Sequence, residues 1–221
     1  MVNYANGVET RSIIIDTCKK LFLEKGYKNT TYSAIYKAAM VNPGTIAHHF
    51  GNKRNIASML YDETIQVLVK SVDEFFPEED DTQKAFLGFG LHRKLLYENE
   101  DYRRFVMEFM IDDLANDDEE RFLRSDFGAY KSAADKVGEN KATFLFVAYK
   151  GIEAAVDAYY SRHDEDQSFE EILSYYFDIY FCYLPEDEVK KRTARTLELL
   201  STVEVDMEED FNPKVRKIEK E

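Results

Sequence analysis

Proline and glycine are scarce in this 221-residue chain, at four and nine, so few positions force a helix to break. Cysteine is scarcer still. Cys18 and Cys182 belong to no spaced motif, which argues against a disulfide framework, and both are expected to fill core positions. Long hydrophobic runs are absent. The longest, at 142–149, contains a threonine and falls well short of the ~20 residues that cross a bilayer. Residues 1–10 have neither the basic start nor the apolar centre of a secretory signal. A soluble, cytoplasmic protein is the expectation. There is also no Gly-rich phosphate loop, no nucleophile elbow and no His-Glu pair of the metallohydrolase kind. Neither an enzyme nor a cofactor is expected.

Hydrophobic residues make up 44% of the chain and charged residues 33%, enough for a buried core beneath a solvated surface. The charge is unevenly placed. The formal net charge is −14, yet residues 1–62 hold eight Lys and Arg against four acids, leaving −18 on residues 63–221. Such asymmetry points to one segment that meets a polyanion and a remainder that does not.

Helical periodicity fills almost the whole chain, and strand-like alternation is scarce. An all-α protein follows. A first helix is predicted from an N-cap at Thr10, with Ile14, Cys18, Leu21 and Phe22 on one face and Gly26 just past its end. Short helices follow at about 31–39 and 43–50, and a long one runs from beyond Asn52 to Phe75, stopped by Pro77. Further helices are predicted at 82–99, 102–114, 117–137 with an interruption at Gly128, 141–160, 168–183 and 186–203. The charged tail from Glu204 reads as frayed. The expected division is 1–55, 56–205 and a tail over 206–221.

The two short helices are the informative ones. Thr30 can cap the first of them and Asn42 the second, with Pro43 at the first helical position, where a missing N–H costs nothing. Gly51 permits a turn, and Asn52 can cap the long helix. Two capped helices joined by Met40 and Val41 have the dimensions of a helix-turn-helix, whose second helix enters the major groove. Ile35, Ala38, Ala39, Val41, Ile46 and Phe50 would form the apolar seam beneath it.

Residues 11–60, RSIIIDTCKKLFLEKGYKNTTYSAIYKAAMVNPGTIAHHFGNKRNIASML, resemble the N-terminal domain of the tetracycline-repressor (TetR/AcrR) family. The matching positions are Phe22 with Gly26-Tyr27, then Thr30, Thr31 and Ile35, then Gly44, Thr45, Ile46, His49, Phe50, Asn52 and Lys53. The resemblance implies a three-helix DNA-binding domain followed by a larger helical domain for effector binding and dimerisation. It assigns the DNA contact to Thr30, Thr31, Tyr32, Asn42, Gly44, Thr45, His48, His49 and Lys53, with Gly44, Thr45, His48 and His49 facing the groove and Thr30, Thr31 and Lys53 holding phosphates. The implied partners are a palindromic double-stranded operator, a second copy of the chain and a small-molecule effector that releases a repressor from DNA. Three residues depart from the family pattern. Tyr36 stands where alanine is usual near the helix crossing, Met40 where the turn glycine is usual, and Ala47 where a tyrosine commonly reaches a phosphate.

Other readings compete at several positions. Adjacent helical residues point about 100° apart, and neither His48 nor His49 has a His, Cys or carboxylate four residues on, so a metal site is not expected. The helices at 141–160 and 168–183 are apolar on more than one face, with a large stripe (Leu145, Tyr149, Ile152, Val156, Tyr159) beside a small one (Ala148, Gly151, Ala155, Ala158). Burial on two sides fits a homodimer with a four-helix interface. A single monomer core is the alternative. His92, Phe105, Phe109, Tyr130 and Tyr149 are candidates for an effector pocket, but they serve equally well as core, and His92 reads first as a core histidine. Lys150, Glu153 and Asp157 share one face in the pattern of a solvated edge. The rival function is a helical enzyme or protein-binding adaptor that keeps the fold without the DNA contacts.

Overall fold

A computed structural model describes residues 4–113, 128–160 and 168–218. Its elements are α1 (Tyr4–Asn29), α2 (Tyr32–Ala39), α3 (Thr45–Phe50), α4 (Lys53–Phe75), α5 (Asp81–Glu98), α6 (Glu100–Asp113), α7 (Ala129–Val137), α8 (Glu139–Tyr160), α9 (Phe169–Tyr180), α10 (Glu186–Leu200), β1 (Val203–Met207) and β2 (Pro213–Lys217). The predicted helical stretch before Gly128 and the polar loop at 161–167 lie outside the described residues.

The apolar spacing of α1 buries Ile14, Cys18, Leu21 and Phe22. Burial in that apolar seam pushes the Cys18 thiol up to about 12. The helix begins at Tyr4 rather than Thr10, because no proline precedes Thr10 and regular helix simply continues through the possible cap. Gly26 ends its regular part at φ 77°. That angle favours glycine, and a β-carbon there would stand 2.6 Å from the Glu108 carboxylate and push it aside. Asn52 caps α4, its side chain accepting the Asn55 N–H at 2.8 Å, and Ser168 caps α9 in a reciprocal box with Glu171. α5 lies at the centre, wrapped by α4, α6, α7, α9, α10 and β1. That is why Ala85, Phe86, Leu87, Phe89, Leu91 and His92 are all buried on it. Phe86 stacks on Phe181 with ring centroids 3.6 Å apart.

Three expectations are corrected. The tail is folded, not frayed: β1 and β2 form an antiparallel hairpin from Val203↔Lys217 to Met207↔Pro213. Val203, Val205 and Met207 point inward while Glu204 and Asp206 point out, so the charges that suggested fraying are one face of a period of two. Phe211, at φ 65°, inserts edge-on between Tyr102 and Phe105, at 5.7 and 4.9 Å between centroids. Cys182 is exposed, and the Tyr149 hydroxyl lies 2.9 Å from its sulfur. Finally, Lys150 and Glu153 are buried and half-buried Asp157 joins them in an internal ion network. Arg93 of α5 donates to Glu153 and to both Asp157 oxygens and lies over the Tyr176 ring, whose hydroxyl donates to Asp157 at 2.6 Å. Lys150 Nζ sits 3.6 Å from Glu153. An opposed charge on a neighbouring helix, Arg93, pairs with this face.

Candidate nucleic-acid interface

Thr31, not Thr30, caps α2, its hydroxyl accepting the Ala34 N–H at 3.1 Å. Thr30 is fully buried, and its hydroxyl donates to the Leu21 and Gly26 carbonyls at 3.0 and 2.7 Å. It ties α2 to the end of α1, and its side chain is away from the surface. Ile35 and Ala39 form the buried face of α2, and Val41 packs partly against it. Ala38, expected in the seam, is exposed. Tyr36 is half-buried, with its hydroxyl 3.5 Å from the Gly44 N–H. Met40 makes the turn in the left-handed region, at φ 53° and ψ 40°.

α3, expected as the recognition helix, starts two residues later than Pro43 would place it. Gly44 is its N-cap at φ 94°, and Asn42 contributes its carbonyl, which accepts from the Thr45 N–H and hydroxyl at 3.1 and 2.7 Å. Ile46 and Phe50 are buried beneath the helix, whereas Asn42, Gly44, Ala47 and His48 are exposed and Thr45 and His49 half-buried. The two imidazoles meet edge to face at 4.9 Å. Two residues that spacing did not single out hold the far end of α3. Asn55 Nδ2 donates to the Phe50 carbonyl at 2.7 Å, and Arg11 donates to the His49 carbonyl at 2.9 Å while lying over the Phe50 ring. Both look like ordinary solvated polar residues until the helices cross. No Asp or Glu occurs from residue 25 to 61, so α2, α3 and the start of α4 present only neutral and basic groups.

Lys53, expected at a phosphate, points its side chain inward here. Its ammonium donates inward to the Tyr27 and Thr30 carbonyls at 2.6 and 2.9 Å and lies over the Tyr27 ring. Burial makes it easier to deprotonate than a free lysine. Its backbone N–H donates to the Tyr32 hydroxyl at 3.0 Å.

α6 holds the end of α1. Glu108 accepts the Lys28 N–H and Asp112 the Tyr27 hydroxyl, each at 2.7 Å, and Arg104 donates to the Leu23 carbonyl. The five candidate effector residues fall into two ring clusters among the described residues. Phe105 and Phe109 stack on each other and join Phe22, Tyr27 and Tyr61. His92 lies between Tyr61 and Tyr102, and burial lowers its basicity well below the ordinary value, so it is a neutral core histidine at pH 7. Tyr130 and Tyr149 flank Phe146 under α7 and α8. Elsewhere a cleft of about 330 Å³ lies between α5, the start of α9 and α10, lined in part by Lys94, Tyr97, Phe169 and Leu197; it includes none of the five. Among the described residues no group of three or more His, Cys, Asp or Glu is placed to hold a metal, and no helix is long and apolar enough to cross a membrane.

Residues 14–58 match the model of the family described as bacterial regulatory proteins, tetR family. A protein of Bacillus subtilis (strain 168), the uncharacterized HTH-type transcriptional regulator YhgD, is 31% identical over 90 residues, which is 40% of this chain and 44% of that protein. The match thus spans less than half the length of this relative. Among solved structures, a gamma-butyrolactone receptor described as ArpA-like is 17% identical, covering 89% of this chain and 98% of that one at a TM-score of 0.42. A TetR-family transcriptional regulator from Pectobacterium atrosepticum is 18% identical, with 90% and 94% coverage and a TM-score of 0.40. These scores are too low to carry an argument about the larger domain.

Proposed function

We propose, from the premise that residues 14–58 are a tetR-family helix-turn-helix, that this chain is a DNA-binding transcriptional regulator. It acts as a repressor on a palindromic operator, as a homodimer, and a small-molecule effector releases it. The observation that carries the reading is α3 itself, an exposed helix clamped at one end by Arg11 and Asn55, within a stretch, residues 25–61, that contains no carboxylate. Gly44, Thr45, His48 and His49 read base edges; Thr31, Tyr32 and Asn42 lie along the phosphates, and Lys53 braces the start of α4 from inside. Thr30 leaves the set.

Dimerisation uses the outer face of α8, where Phe144, Val147, Gly151, Ala155 and Tyr159 are exposed at helical spacing. Release follows if an effector binds better to a conformation in which α6 is displaced, because α6 is bonded to the last turn of α1. A typical coupling of about 1–3 kcal/mol acts in both directions, so DNA weakens effector binding by the factor that effector weakens DNA binding.

The test is an anisotropy titration on DNA from around the protein's own gene. His48→Ala and Thr45→Ala are each expected to cost about 1–3 kcal/mol and to relax preference at particular base pairs. Unchanged affinity and unchanged preference in both variants would remove α3 as the reading helix.

A further inference from the structure

Phe211 sits in the left-handed region at φ 65°, a conformation that bulky side chains rarely adopt, and its ring is buried. A strained backbone persists only where its surroundings hold it, and such residues gather at clamps and switches. We infer that the C-terminal hairpin is a strap: through Phe211 it holds α6 against the end of α1 and so fixes the angle at which α3 is presented. What the strap does to DNA binding rests on the DNA-binding reading above; that it fixes the joint does not.

The hairpin is anchored along its length. Lys94 of α5 donates to the Leu200 and Val203 carbonyls at 3.1 and 2.6 Å, which fixes the start of β1. β2 lies against α4, with Lys217 Nζ 6.0 Å from the Phe75 ring centroid. At the tip, Glu208 pairs with Lys214 at 2.6 Å, and its carbonyl accepts the Phe211 N–H at 3.0 Å. Asn99 ties the hairpin to the start of α6: its amide donates to Asp206 at 3.3 Å while its oxygen accepts the Tyr102 N–H at 2.8 Å.

One ring separates the hairpin from α1. Phe105 of α6 meets Phe211 edge-on at 4.9 Å and Phe22 of α1 at 5.2 Å. Arg104, Glu108 and Asp112, spaced by four on the same helix, bind the Leu23 carbonyl, the Lys28 N–H and the Tyr27 hydroxyl. Asn99 is the whole connection between α5 and α6. It fixes where α6 starts, and packing at Tyr102 and Phe105 fixes its tilt. Protein interiors are close-packed, and neighbours of a new void relax partway into it. A smaller side chain at position 211 therefore lets α6 shift and loosens the bonds at residues 23–28 that lie beyond it.

Hydrogen–deuterium exchange on the intact chain would compare wild type with Phe211→Ala and Phe211→Leu. Both replacements keep a β-carbon, so the backbone strain stays and only the ring is lost; Phe211→Leu retains most of the apolar volume and carries the comparison should Phe211→Ala unfold. The expected result is exchange about tenfold faster at residues 21–29, with α9, which packs on α5, α8 and α10 instead, unchanged. On a duplex from around the protein's own gene, Phe211→Leu is expected to bind about tenfold more weakly, because a loosened α3 must be ordered on binding. A random-sequence duplex, held through phosphates alone, is expected to be bound as by wild type. Unchanged exchange at 21–29 overturns the inference, as does exchange that rises equally in α9, which would make Phe211 ordinary core. Faster exchange with undiminished affinity for the own-gene duplex overturns the strap's hold on DNA binding. If wild type binds no duplex DNA, the DNA-binding reading itself fails, and exchange alone decides whether the hairpin fixes the joint.

Discussion

Met40 holds the turn between α2 and α3 at φ 53° with a side chain that is 91% exposed, so its β-carbon is strained and its apolar tail buries nothing. A left-handed conformation costs an L-residue roughly 1–2 kcal/mol, and glycine avoids that while losing about 0.5–1 kcal/mol through its freer unfolded chain. Met40→Gly is therefore expected to stabilise the protein by up to about 1 kcal/mol in denaturant unfolding; a loss of stability would mean that the side chain makes a contact worth more than the strain. The strain was legible from the departure at this position. The partners of single side chains were not. Thr30 and Thr31 are adjacent and chemically alike, and only the bend at Gly26 turns one hydroxyl inward and leaves the other as the cap. Lys53 has the same formal charge whether it faces DNA or two carbonyls. Lys150, Glu153 and Asp157 share a face as their spacing requires, but Arg93, which faces them, lies on another helix.

Helices were the most legible elements, because apolar spacing of three and four and a cap such as Asn52 are local signals. Their starts were less so: α1 runs through Thr10, and α3 begins beyond Pro43. The hairpin was missed because two five-residue strands of alternating charge resemble a solvated tail until Val203, Val205 and Met207 meet the core. On α8 the large apolar stripe divides. Tyr149 turns into the core, while Ile152 and Tyr159 remain 39% and 48% exposed, beside the still more exposed Phe144 and Val147. Among the described residues, nothing beyond its own turn of helix lies within 4 Å of a β-carbon placed on Gly151. Gly151→Leu should therefore fold normally and act only on a partner, holding the paired helices apart. Sedimentation is expected to show a dimeric wild type and a variant whose dimer dissociates at least tenfold more readily, about 1.4 kcal/mol. A dimer equally tight in both would place the interface elsewhere.

Taken whole, the molecule keeps its two kinds of charge apart. Residues 1–62 carry a surplus of four positive charges and the rest −18, so a polyanion would attract the first segment and repel the remainder. The two are nonetheless joined by directed bonds, from Glu108, Asp112 and Arg104 to the last turns of α1, which gives the larger domain a grip on the orientation of α3. Both properties matter only if the basic surface meets DNA. Footprinting with the intact protein, on DNA from around its own gene and across a series of salt concentrations, measures that directly. The expected result is a protected site with two-fold symmetry, its half-sites about one helical turn or a multiple apart, and affinity that falls steeply as salt rises. No protection and no salt-dependent binding to any duplex, even at low salt and protein concentrations of about 10⁻⁴ M where non-specific binding alone would register, would contradict the assignment of α2 and α3 as a DNA-reading unit.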